Sequence, residues 1–298
     1  MRELSGFDAY KSNGKTAVTL GKFDGLHKGH QKLIEKIRGY ASEEIKSVVC
    51  AFDMSKDSLM TKKERKKSLE DVVDYLIDCP FTKELREMEA EEFIRKILVG
   101  TLHAAYIVVG TDFMFGHKKR GTAEMLKKYS PVYGYHVDVI EQEMYDGKII
   151  SSTYIKELLQ EGNLSLANKL LGYSYQMTGC VEHGNELGRS LGFPTMNVAP
   201  ASKKIMPRFG VYVCNIRIDE IWYHGIGNVG VKPTVVSDSK VLAEVFVFDF
   251  SGNTYGKEVE VEFCEFVRPE MKFQSLEELK KRVDADILYG RAFFERMS

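Results

Sequence analysis

Short apolar runs alternate with longer segments of helical period through the first half of this 298-residue chain. The runs at 16–20, 46–52 and 105–110 are rich in Val, Ile and Ala and predict strands. Between them, 61–78 places Leu69, Val72, Val73, Leu76 and Ile77 on a one-sided pattern that predicts a helix, and 89–98 repeats the style. Strand and helix in alternation is the α/β signature. Residues 164–171 form a further short helical segment that stops at Gly172, where a glycine favours termination.

From Tyr175 the texture changes. Runs at 175–183, 210–216, 221–229, 241–250 and 258–266 are rich in Val, Tyr, Phe and Ile and are separated by Gly, Asn, Asp and Ser, a spacing that predicts an antiparallel sandwich or barrel. The tail, 275–296, opens on a serine cap followed by Glu277 and Glu278, then sets Leu276, Leu279, Val283 and Ile287 at helical intervals, so a C-terminal helix is expected to pack on the barrel. No repeat or long linker interrupts the chain. The expected division is 1–173 and 174–298.

Charge narrows the partners. Lys and Arg number 42 against 43 Asp and Glu, a net charge of −1, which removes the general attraction that nucleic-acid and anionic-membrane binders use. Small-molecule partners are expected, with no nucleic acid and no membrane, in a monomer or weak homo-oligomer. The five cysteines are scattered, odd in number and without CxxC spacing, so neither a disulfide framework nor a zinc site is indicated. With no signal-like N-terminus and no long apolar stretch, a cytoplasmic enzyme is expected.

The chemistry concentrates in two places of the first half. Residues 21–30, GKFDGLHKGH, follow a strand and open a helix, and Gly21, Phe23 and Gly29 punctuate the turn. Helix N-termini attract phosphates through orphan N–H groups and the positive dipole end, and glycine permits close backbone approach. His27 and His30, three apart on a first helical turn, point the same way and can share one triphosphate. Ser151, Ser152 and Thr153 then precede a second apolar helical pattern, where caps and first-turn donors belong, which makes a second candidate phosphate site.

Eight motifs in order carry a resemblance across nearly the whole chain: GKFDGLHKGH (21–30), VVGTDFMFG (108–116), ISSTYIKELL (150–159), GRSLGFPTMN (188–197), FGVYV (209–213), GIGNVGVKPT (225–234), EVFVFDF (244–250) and YGKEVEVEF (255–263). The sequence resembles the bacterial bifunctional riboflavin kinase/FMN adenylyltransferases, also called FAD synthetases. That resemblance implies an N-terminal Rossmann-like nucleotidyltransferase domain that adenylates FMN to FAD with release of pyrophosphate. It also implies a small Greek-key kinase barrel that phosphorylates riboflavin to FMN, both steps using ATP and Mg²⁺.

By the same resemblance, His27 and His30 serve catalysis in the first domain, with Asp112, Ser151, Ser152, Thr153 and Lys156 at the nucleotide and Phe113 at the flavin. In the second, Glu244 is the base for the ribityl hydroxyl and Thr195 and Asn197 hold Mg²⁺ and phosphate. Gly184, Gly188, Arg189 and Gly192 form a flap over ATP, Asn228 and Thr234 lie in a second loop near ligands, and Arg268 and Phe273 border the flavin. Two departures stand out. The family carries Arg at the position of Lys156, and its Pro-His-Pro element is replaced here by residues 52–57, Phe-Asp-Met-Ser-Lys-Asp. Two further readings follow: a riboflavin kinase with a weakened adenylyltransferase domain, and a flavin-sensing regulator of genes, for which the balanced charge and the lack of a basic DNA-reading segment are unfavourable.

Overall fold

The computed structural model describes residues 1–53, 57–184, 188, 191–232 and 240–297. By packing, the chain divides into Met1–Ser152 and Thr153–Ser298.

The first unit is built on six parallel strands: β1 (Arg2–Ser5), β2 (Lys15–Gly21), β3 (Ile45–Asp53), β4 (Tyr75–Pro80), β5 (Ala104–Gly110) and, after a two-residue-strand hairpin of β6 (Met114–Phe115) and β7 (Gly121–Thr122), β8 (His136–Ile140). Their order in the sheet is β1-β4-β3-β2-β5-β8. The central strands are buried on both faces, as a parallel sheet covered by helices requires, and that is why they read as continuous apolar runs. The covering helices are α1 (Lys28–Tyr40), α2 (Lys62–Leu69), α3 (Lys83–Glu87), α4 (Ala90–Phe93) with helical turns continuing over Ile94–Thr101, and α5 (Ala123–Tyr133). A hairpin of β9 (Met144–Tyr145) and β10 (Lys148–Ile149) follows β8.

The strand order reverses between β2 and β5: the chain builds outward through β3 and β4 on one side and through β8 on the other. The crevice beyond the carboxyl ends of these two strands is where open α/β sheets receive ligands.

The predicted 61–78 helix is corrected. Helix ends at Leu69 and β4 begins at Tyr75, where Leu76, Ile77, Asp78 and Cys79 are buried in unbroken succession, which suits a strand covered on both sides and not a one-faced helix. Arg65 of α2 turns back onto Asp78 of β4, Nη2 to Oδ1 at 2.5 Å, in a buried ion pair that locks the two elements together. Strands β1 and β8 come from segments not expected to be strands.

The second unit contains a closed antiparallel barrel. Its strands are β11 (Gln176–Glu182), β12 (Met196–Pro200), β13 (Gly210–Ile218), β14 (Ile221–Lys232), β15 (Lys240–Val247) and β16 (Glu258–Pro269), in the order β11-β12-β15-β14-β13-β16. Strands β13, β14 and β15 form a meander and β16 returns beside β13, which is the expected Greek key. Strand β12 falls where the sequence shows only the PTMN motif.

Helices α6 (Ser152–Glu161) and α7 (Leu164–Leu171) precede the barrel, and α7 stops on Gly172 in the left-handed conformation. Asn168 of α7 fastens it, donating from Nδ2 to the Phe263 carbonyl at 3.0 Å and accepting from Tyr175 N at 2.7 Å. The C-terminal helix, α8 (Leu276–Glu295), is capped by Ser275, whose hydroxyl accepts from Glu278 N at 3.1 Å.

The packing face of α8 departs from expectation. Leu276 is 56 % exposed, whereas Asp286 and Gly290 are the buried positions. A Cβ at Gly290 would lie 2.7 Å from Ile226 Cγ2 and 3.1 Å from the Phe248 ring, so the helix approaches the barrel as closely as glycine allows.

Candidate active sites

The loop after β2 has the conformation its glycines suggest, and more. Phe23, Gly25 and Leu26 all have positive φ (47°, 89° and 39°), which compresses the turn so that α1 starts immediately beyond His27. Asp24 braces it from one side: its Oδ1 accepts from Leu59 N at 2.7 Å and Met60 N at 3.2 Å. Ser152 braces it from another, its hydroxyl donating to the Asp24 carbonyl at 2.7 Å, while Gln31 Nε2 donates to the Leu26 carbonyl at 2.9 Å.

On this frame the aromatic rings stack. His27 and His30 lie 3.8 Å apart at 25°, and Phe23 caps the pair at 5.0 Å from His30. Gly29 sits beneath, and a Cβ there would stand 3.3 Å from the His27 ring. A Cβ at Gly21 would likewise stand 3.3 Å from the Phe23 ring.

Neither Nδ1 of the two histidines has a hydrogen-bond partner among the described residues, although both atoms are buried. Burial holds His27 down to about 4. Burial, and then the adjacent His27 ring, push His30 well below the usual imidazole range. Both rings are therefore neutral at pH 7, with N–H donors and unmet polar atoms at the start of a thirteen-residue helix. Such a cluster is poised for an anionic ligand.

Across the sheet's switch point, Asp112 and Phe113 follow β5. Asp112 is exposed and folds back over Gly110, where a Cβ would come within 2.9 Å of its Oδ1. Phe113 is half-buried and stacks on Phe115 at 5.5 Å, and Phe115 belongs to the core against Phe93 at 5.6 Å. Ser151 is half-buried beside the brace made by Ser152, Thr153 is exposed, and Lys156 is half-buried on α6. Of the segment that replaces Pro-His-Pro, residues 54–56 lie outside those described.

In the second unit the sequence motifs converge. A cavity of about 360 Å³ is walled by the outer face of the barrel and by α8, and Gly184, Gly188, Thr195, Asn197, Asn228, Glu244, Arg268 and Phe273 all line it. Register explains the convergence. Asn197 on β12 pairs with Glu244 on β15, Glu244 with Asn228 on β14, Asn228 with Val211 on β13, and Val211 with Arg268 on β16. Directly opposed residues share a face, so five strands present one continuous row to the cavity.

Glu244 is half-buried on the rigid strand β15, with an amide residue opposite on each side. Thr195 hydroxyl, Asn197 amide oxygen and Glu244 carboxylate thus supply hard oxygen donors to one space. The glycines make room above: a Cβ at Gly184 would collide with the Asn197 amide, and one at Gly188 would stand 2.6 Å from the Phe193 carbonyl and 3.4 Å from Thr195 Oγ1. Gly192 has φ 90°, reserved in practice for glycine, and does not line the cavity. Arg189 and Thr234 lie outside the described residues.

The same cavity holds residues to which the sequence reading gave no site role. Glu270 accepts from Asn228 Nδ2 at 3.1 Å, Tyr255 stacks on His183 at 3.8 Å, and Phe246, Leu279, Val283 and Asp286 complete the wall. Arg268 is spoken for: Nε donates to Asp286 Oδ1 and Oδ2 at 3.1 and 3.0 Å and Nη2 to Oδ2 at 2.6 Å, with its guanidinium carbon 5.9 Å from the Phe273 ring centre. Glu270 and Phe273 adjoin the end of β16, a legible signal, whereas Asp286 reads as one more solvent charge on an amphipathic helix.

An open parallel sheet with a histidine loop at its switch point, together with a barrel whose outer pocket carries a carboxylate between two amides, defines a two-site nucleotide-dependent transferase. The comparisons are specific. The FAD synthetase family matches residues 9–154 and the riboflavin kinase family residues 171–294. The bifunctional riboflavin kinase/FMN adenylyltransferase of Haemophilus influenzae is 38 % identical over 93 % of this chain and 94 % of its own, and that of Escherichia coli 33 % over 93 % and 92 %. A crystal structure named as a macrolide-efflux protein from Streptococcus pneumoniae superposes with a TM-score of 0.87 at 30 % identity, covering 96 % of both chains. No helix among the described residues here is long and apolar enough to cross a membrane. The chain belongs to the bifunctional riboflavin kinase/FMN adenylyltransferase family. It carries both activities, phosphorylation of riboflavin to FMN and adenylylation of FMN to FAD, with ATP as co-substrate.

Proposed function

We propose that the two activities occupy separate sites: riboflavin phosphorylation in the barrel cavity and FMN adenylylation at the Gly21, Phe23, Gly29, His27 and His30 loop. The functional boundary then falls at 173/174. The observation that carries the proposal is the position of Glu244, opposite Asn197 on one side and Asn228 on the other, in a cavity that also holds Thr195.

In the kinase step the ribityl 5′-oxygen attacks the γ-phosphorus of ATP, the bond to the ADP oxygen breaks, and Glu244 takes the hydroxyl proton. A carboxylate on a strand paired on both sides keeps its aim without loop motion. Thr195 and Asn197 fit Mg²⁺, since a hydroxyl and an amide oxygen beside one carboxylate suit an ion that retains waters and substrate phosphates. When bound, Mg²⁺ neutralises charge on the phosphate oxygens. Gly184 and Gly188 cover the nucleotide in a flap whose sequence continues through Arg189 and Gly192, Asn228 orients it, and Arg268 and Phe273 border the flavin ring.

In the adenylylation step an FMN phosphate oxygen attacks the α-phosphorus of ATP and pyrophosphate leaves. Neutral His27 and His30 donate N–H groups to the triphosphate, and the α1 terminus adds its dipole. Ser151, Thr153 and Lys156 hold phosphates, Ser152 fixes the loop, and Asp112 and Phe113 line the crevice beyond β5. The chain is read as a cytoplasmic monomer or weak homo-oligomer acting on small molecules, and its balanced charge, −1 overall, removes the general attraction to nucleic acid and membrane.

The test is a pair of assays on His30→Ala with ATP and Mg²⁺. FAD formation from FMN should collapse while FMN formation from riboflavin persists, and the retained activity reports that the chain is folded. Equal loss of both would contradict separate sites.

A further inference from the structure

We propose that Asp286 is a positioning residue for riboflavin: it holds the Arg268 guanidinium at the aromatic end of the barrel cavity. The inference rests on the assignment of that cavity to the kinase step.

Asp286 is 2 % exposed and lies on α8, one full wall of the cavity, among Leu279, Val283 and Gly290. Its carboxylate receives three hydrogen bonds from Arg268, through Nε and Nη2, and Arg282 Nε of the same helix stands 3.5 Å from Oδ1. A fork engaged through two nitrogens fixes the plane of a guanidinium, not merely its position. Arg268 Nη1 is held in addition by the Pro269 carbonyl at 3.1 Å.

The place of that plane matters. Arg268 ends the cross-strand row that begins at Asn197, three strand spacings, roughly 14 Å along the wall, beyond Glu244. A substrate whose hydroxyl is at Glu244 and whose ring system lies farther along the row meets Arg268 and Phe273 there. Guanidinium and phenyl groups both accept a flat aromatic system against their faces.

A simple tether does not require a charge. Helix α8 already packs on Ile226 and Phe248 through Gly290. Buried ion pairs are weak stabilisers compared with apolar pairs of similar volume, so geometric control of Arg268 is the property that a Leu at position 286 could not provide.

The experiment measures riboflavin kinase kinetics on the full chain with ATP and Mg²⁺, for Asp286→Asn, for the charge-free pair Arg268→Met with Asp286→Leu, and for Glu244→Gln in parallel. Asp286→Asn should raise KM for riboflavin roughly tenfold or more with a much smaller change in kcat and in KM for ATP, since misplaced positioning groups act at that scale. The charge-free pair should regain the thermal stability of the parent and still show the raised riboflavin KM, which also serves if Asp286→Asn fails to fold. Recovery of the parental KM by the pair would reduce the ion pair to a tether and overturn the inference. So would a loss confined to kcat. Persistent FMN formation by Glu244→Gln would instead remove the underlying assignment of the cavity, whereas loss there combined with parental KM in the Asp286 variants would remove only the role of Asp286.

Discussion

Glu244 stands directly opposite Asn197 across the β12–β15 pair. The two side chains share the outer face of the barrel, so the carboxylate proposed as the base and the amide proposed to face the phosphates are set by one register, with no loop between them. A one-residue slip of either strand would send one of them into the barrel interior.

Gly184 is predicted to be essential to that arrangement. A Cβ at 184 would collide with the Asn197 amide, so Gly184→Ala should displace it and lower FMN formation roughly tenfold or more. Adenylylation of supplied FMN should be unchanged. Parental kinase rates in this variant would show that the Asn197 side chain has no fixed role.

Gly29 makes the matching prediction for the first unit. Its Cβ would press on the His27 ring at 3.3 Å, tighter than an ordinary contact, and would disturb the stack with His30. Gly29→Ala should reduce FAD formation from FMN severalfold, about 1 kcal/mol in the barrier, and spare the kinase. Steady-state rates for both reactions on the one preparation decide it.

The histidine pair also sets an acid limit. His27 titrates at about 4 in the folded chain, lowered by burial, against a normal value near 6.5 unfolded, so between those values the unfolded chain binds a proton that the folded chain does not. Its contribution is intact above about 6.5 and is lost progressively as pH falls toward 4, about 2 kcal/mol at pH 5 for His27 alone. His30 acts in the same direction. Thermal melts of the chain at pH 7.5 and pH 5 should show the drop, and His27→Asn should flatten it. An unaltered pH slope in that variant would contradict the burial account.

Much of this was legible in the sequence, and the failures have physical causes. Strands β2, β3 and β5 announced themselves because a strand buried on both faces is a continuous apolar run, and the barrel strands because turns punctuate them. Strand β4 was misread because Val73, Leu76 and Ile77 also fit a helical period, and the readings are separated only by the unbroken burial of four successive residues, Leu76 to Cys79. At the sites, His27 and His30 are singled out by their spacing at a helix start, and Glu244 and Asn197 only by the motifs that carry the family resemblance. Asp286 does not, because its partner Arg268 is eighteen residues away and meets it only through the approach of α8 to the barrel. Pairing distances of that kind are set by tertiary packing, which a local pattern does not encode.

The most direct test of two independent sites is the flavin product profile of Glu244→Gln, resolved by chromatography after incubation with ATP and Mg²⁺ and either riboflavin or FMN. The substitution keeps size and shape while removing the proton acceptor. The account predicts no FMN from riboflavin and a parental yield of FAD from FMN. FMN formation at the parental rate, or loss of FAD together with FMN, would contradict it.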